Sequence, residues 1–133
     1  MEENKVIDKS SFDKKLGTEL EKGDPHIIVE IIEYVPHSIV SKTIIKKSTG
    51  NVTAKSFDEG EELCEKTIPF DTYVQIIHGV ASVTIDKKEH NLKLGYGIVI
   101  PAHSHHCFNA NEKFKMISTI IKSGYEEMNV EKW

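Results

Sequence analysis

Three of the seven histidines fall within four positions, at His103, His105 and His106, and Cys107 follows directly. Imidazole and thiolate both offer lone pairs to a divalent metal, so this stretch carries the most evident chemistry. Its spacing limits that chemistry. In an extended segment His103 and His105 face one side and His106 the other, because strand side chains alternate. Only a curled loop brings all three to one ion. Otherwise they are exposed loop residues or hydrogen-bonding partners. The second cysteine, Cys64, lies far upstream. Two cysteines do not make a disulfide framework, and the expectation is a reduced thiol pair. Cys64 then packs as a small hydrophobe, or pairs with His106 as nucleophile and base.

Lys66 shares strand parity with Glu62, Cys64 and Ile68. A desolvated lysine can act as a Schiff-base nucleophile or a general base. The plainer role is an ion pair with Glu62, Asp71 or another acid. His78 shares parity with Thr72, Val74 and Ile76 and reads either as a structural histidine or as a pocket residue beside His106. His26, His37 and His90 read as surface or turn residues. No spacing marks a Ser-His-Asp triad, and no glycine-rich loop cradles a phosphate.

These residues need strands to hold them. From Ser38 onward the chain alternates and turns in short steps. Strands are predicted over 38–45, 52–57, 64–67, 73–77, 80–85, 90–94, 98–101 and 114–121. Turns fall at Ser48-Thr49-Gly50-Asn51, Asp58-Glu59-Gly60, Asp86-Lys87-Lys88 and Gly95-Tyr96-Gly97. Eight short strands at this spacing predict an all-β sandwich or barrel. Ahead of them, Asp24-Pro25 followed by Ile27, Ile28, Ile31, Ile32 and Val35 predicts a helix over 25–33 that ends before Pro36. Phe12, Leu16 and Leu20 hint at a second short helix. The organisation is an N-terminal, partly helical extension over 1–35, a barrel over 36–123 and a polar tail over 124–133.

The 133 residues make one domain. With 17 basic against 21 acidic residues, the net charge is −4. That balance argues against nucleic acid or an anionic membrane as partner, since both need a basic patch. No apolar run approaches a membrane span, and Met1 to Lys15 lacks the apolar core of a signal peptide. A cytoplasmic protein is expected.

Two stretches resemble the paired motifs of the cupin superfamily. The first frame runs from Gly60 through Lys66, Ile68 and Thr72 to Gly79. The second runs from Gly95 through Pro101, His103 and His106 to Ala110. The fifteen residues over 80–94 between them match the short spacing of small single-domain microbial cupins. The wording around Glu65-Lys66-Thr67-Ile68-Pro69-Phe70-Asp71 and Phe114-Lys115-Met116 is similar too. The resemblance covers about 36–122 and implies a small jelly-roll barrel that pairs into homodimers. It also implies one metal, held inside the barrel by three histidines and a glutamate. Here Lys66, Ile68 and Thr72 stand at three of those four ligand positions, and only His106 is retained. His103 stands where the family has glycine, and Ala110 where it has asparagine.

The chemistry of those replacements sets the functional expectation. Ile68 offers no lone pair, Thr72 offers a weak neutral oxygen, and Lys66 is cationic. The chain therefore reads as a small-molecule-binding barrel without the complete metal ligand set. Its pocket would be formed by Lys66, Thr72, His78 and His106, for a small polar or anionic molecule. The alternative is a metal-dependent enzyme of oxygenase, isomerase or decarboxylase type. Its rebuilt divalent-metal site would join His106 to His103 or His105.

Overall fold

Alternation of apolar and polar residues gives each strand one face to bury, and here two sheets bury those faces against each other. The structure, a computed structural model, describes residues 6–8, 19–65 and 67–124. The strands are β1 (Val6–Asp8), β2 (Ile39–Lys47), β3 (Gly50–Phe57), β4 (Glu62–Glu65), β5 (Thr72–Ile85), β6 (Lys88–Lys93), β7 (Gly97–Ile100), β8 (His106–Asn109) and β9 (Phe114–Ile121). The expected all-β jelly-roll barrel is present. Two of the predicted strands, 73–77 and 80–85, are one continuous β5. β1 and β8 are additional.

β5 belongs to both sheets. Its first half pairs with β9, from Thr72↔Ile120 to Gly79↔Phe114, and with β7, from Thr72↔Ile100 to Gln75↔Gly97. Its second half pairs with β6 and with β8, where Ile85 meets His106. β3 and β2 extend the first sheet beyond β9, and β1 adds a parallel edge to β2. β4 closes the second sheet against β8.

A bulge divides β5. Pairing with β9 runs from Ile76↔Met116 to His78↔Lys115, so Ile77 has no partner of its own. Such an extra residue switches which side chains face inward. Val74 and Ile76 point into the barrel before it, and Ala81 and Val83 after it. Gly79 completes the bulge at φ 79°, and a Cβ there would meet the Lys113 carbonyl oxygen at 2.1 Å. Only glycine fits that approach.

The barrel interior is filled by Ile39, Phe57, Val74, Ile76, Val83, Ile100, Phe108, Phe114 and Met116. Phe57 and Phe114 stack with ring centroids 4.4 Å apart. A second cluster lies on the outer face of the first sheet, where Val40, Ala54, Ile77 and Ile117 are covered by Ile32 and its neighbours Val29, Ile31 and Val35. Those isoleucines do not form the predicted helix over 25–33. The segment holds only a three-residue 3-10 turn, Ile28–Glu30, with no side-chain cap. β-branched residues are poor helix formers, and the sheet offers them a better surface. The Lys115 ammonium fastens the segment by donating to the Val29 carbonyl at 2.6 Å, and the Ser56 hydroxyl donates to the Glu33 carbonyl at 2.8 Å. Phe12 and Leu16, and the tail from 125, lie outside the described residues. No helix among the described residues is long and apolar enough to cross a membrane.

Candidate functional site

The barrel encloses a cavity of about 60 Å³. Most of its lining is apolar, from Leu63, Ile68, Val74, Ile100 and Phe108. The polar groups on it are Lys55, Glu65, Thr72, His106 and Ser118. Of the residues singled out from the sequence, Thr72, His106 and Ile68 are thus brought together. Lys66 lies outside the described residues.

His106 starts β8 and points inward at 4 % exposure. The preceding turn aims it. His103 adopts φ 69°, the left-handed conformation that favours glycine, and its N–H donates to the Ile68 carbonyl at 2.6 Å. The Ser104 hydroxyl donates back to the Pro101 carbonyl at 2.7 Å, and the Ala102 N–H donates to Asp71 at 2.8 Å. His105 is tied by its backbone to Asp86: its N–H donates to the carboxylate at 3.0 Å, and its carbonyl accepts from the Asp86 N–H at 2.9 Å. The curled loop that could bring three imidazoles to one ion does not form. His103 and His105 are exposed, and His106 alone enters the barrel.

Burial pushes the His106 imidazole below the ordinary histidine range. The Glu65 carboxylate and a hydrogen bond to the Ser104 backbone oppose the shift, and His105 adds to it. The ring is neutral at neutral pH. Its Nδ1 is fully buried. That nitrogen has no hydrogen-bond partner, and neither has Thr72 Oγ1 on a side chain 6 % exposed. Each orphaned buried group costs about 1–3 kcal/mol.

Glu65 is not among the residues that the sequence singles out, because a four-residue strand is too short for alternation to show which face is inward. β4 turns Leu63 and Glu65 inward and leaves Glu62 and Cys64 exposed. The inward Ile68 lies beyond the end of β4, so alternation does not carry across to it. Two consequences follow for Cys64. It does not pack inside, and it faces away from His106, so no Cys64–His106 catalytic pair exists. Nor is it a reduced thiol: Cys64 and Cys107 are direct partners on β4 and β8 and form a disulfide, with their Cα atoms 3.9 Å apart.

His78 also departs from expectation. The β5 bulge precedes it and turns it out of the barrel, where its Nδ1 lies 2.6 Å from the Tyr34 hydroxyl. Burial pushes that phenol up to about 12. His78 borders a wider, open groove of about 490 Å³, with Tyr73, Leu94 and Tyr96. It does not line the cavity that holds His106.

The donor set does not fit the metal that the cupin frame implies. Ile68 supplies nothing, and Thr72 is a weak neutral oxygen. His106 and Glu65 are the only strong donors among the described cavity residues that are not cationic. His103 and His105 do not complete the set.

No family model and no curated protein matches the chain. Solved structures do. A conserved protein of unknown function from Streptococcus pyogenes superposes with TM-score 0.73 at 26 % identity, covering 79 % of this chain and 92 % of that one. A cupin superfamily protein from Desulfitobacterium hafniense gives TM-score 0.72 at 24 % identity, covering 78 % and 95 %. A cupin 2 conserved barrel domain protein from Leptotrichia buccalis gives TM-score 0.67 at 34 % identity over 71 % of this chain, which spans 46 % of that protein. Two antiparallel sheets packed face to face are the layers of a jelly-roll barrel. The chain has the fold of a cupin jelly-roll barrel, and the solved structures it resembles include cupin superfamily and cupin 2 barrel proteins.

Proposed function

We propose that the barrel binds a small, polar, uncharged molecule or group in its interior cavity. The observation that carries this reading is the pair of buried, unpartnered atoms, His106 Nδ1 and Thr72 Oγ1, on one small hollow. Nδ1 accepts or donates a hydrogen bond according to the tautomer of the ring, and the threonine hydroxyl does both. A ligand that satisfies both removes two desolvation penalties at once. The size of the hollow leaves room for roughly four water-sized groups, counting about 15 Å³ for each. The lining carries one carboxylate, Glu65, and one ammonium, Lys55, whose opposite charges favour an uncharged ligand that can both donate and accept.

The test is a ligand-observed NMR screen of small amides, alcohols and ureas. Expected binders lose their signal change with His106→Ala and with Thr72→Val, while both variants keep the wild-type circular dichroism spectrum. Equal binding to the wild type and to both folded variants overturns the reading.

A further inference from the structure

We propose that opening the Cys64–Cys107 disulfide creates a metal site on the outside of the barrel, in which both thiolates and the Glu62 carboxylate hold one zinc-like divalent ion. Cys64 and Cys107 are paired directly across β4 and β8, and Glu62 lies two residues before Cys64 on the same exposed face. The two sulfurs and a Glu62 oxygen lie within 4.8 Å of one another. Among the described residues, no other three metal-ligating side chains approach this closely.

The oxidised pair is not itself a ligand set. A disulfide sulfur carries neither charge nor proton, so the 3.5 Å approach of Cys64 Sγ to Glu62 is a contact without a donor. Reduction changes that. A phosphine and one water give two thiols and a phosphine oxide: phosphorus loses two electrons, the S–S bond takes them up, and water supplies the protons. Metal uptake then releases both thiol protons. Tetrahedral zinc with Zn–S near 2.3 Å needs its sulfurs about 3.8 Å apart. Rotation of the two side chains away from each other supplies that separation, with the strands left in register. Two thiolates and a carboxylate bring three negative charges, and soft sulfur selects zinc over magnesium or calcium. Cys64 and Glu62 are exposed, so reductant and ion both have access, and the fourth position is left to water. This face is opposite the cavity of Glu65 and His106, so the site is independent of the interior reading.

The experiment uses the full chain, reduced with a phosphine under argon and titrated with zinc alone, with bound metal read by elemental analysis after gel filtration. The reduced protein is expected to hold about one equivalent, and the oxidised protein none. Glu62→Gln, which keeps both sulfurs, is expected to weaken zinc at least tenfold. Cys64→Ser is expected to abolish binding. Circular dichroism confirms that each form stays folded. No uptake by the reduced, folded protein overturns the proposal. So does uptake that ignores the redox state, or an affinity unchanged in Glu62→Gln.

Discussion

Glu65 and His106 face each other across the β4–β8 ladder as direct Cα partners, and both line the barrel cavity. A carboxylate beside an imidazole stabilises the protonated ring. Here that attraction is outweighed by burial, which holds the ring neutral. Glu65→Gln removes the attraction and leaves the burial. His106 is therefore expected to titrate at still lower pH in that variant. A side-chain NMR titration checks this, and an upward shift would contradict the assigned geometry.

The same burial makes stability depend on pH. The folded pKa of His106 is depressed, so the unfolded chain binds the proton first, near the ordinary value of about 6.5. Its contribution is complete above that pH and is lost as the pH falls below it. Melting temperatures of the wild type and His106→Gln should therefore converge on acidification from about pH 7.5 to 5. A gap that widens toward acid would reverse the sign.

Gly79 closes the bulge in β5. Gly79→Ala places a methyl group against the Lys113 carbonyl oxygen and forces alanine to a φ of 79°. The backbone conformation alone costs about 1–3 kcal/mol, and the overlap adds to it. Urea denaturation should show a loss of at least about 2 kcal/mol. A loss under about 0.5 kcal/mol, the range of neutral surface changes, would mean that β9 can yield at this point.

The disulfide closes a loop with a sequence separation of 43. Chain entropy alone assigns such a crosslink about 4 kcal/mol. The double variant Cys64→Ser, Cys107→Ser should therefore be less stable than the oxidised protein by about 2–4 kcal/mol. Denaturant midpoints of the two proteins, taken without reductant, measure the difference.

Much of the barrel was legible in local alternation. Val80 to Ile85, Asn91 to Lys93 and Phe114 to Ile121 read as strands and are strands. Asp86 and Lys87 read as a hairpin turn, and both take positive φ, as that turn type requires. The interior site was legible only in part. Its frame positions Ile68, Thr72 and His106 do converge on one cavity. Glu65 was hidden because β4 is four residues long and carries no periodic signal of its own. His78 was misplaced because a bulge is a pairing event between strands, and periodicity within one strand does not register it. The disulfide was hidden for a related reason. Cys64 and Cys107 meet only through the register of β4 on β8, and each residue alone looks like an isolated thiol.

The sharing of β5 has a consequence for cooperativity. Its first half completes one sheet and its second half the other, so the two layers have a covalently continuous strand in common. Neither layer can open as a separate unit without exposing apolar residues that the other layer buries. Local unfolding is thereby confined to the parts that do not run through β5, chiefly the segment that covers the outer face and the short edge strands. The amides at the centre of β5 should exchange with solvent only when the whole barrel unfolds.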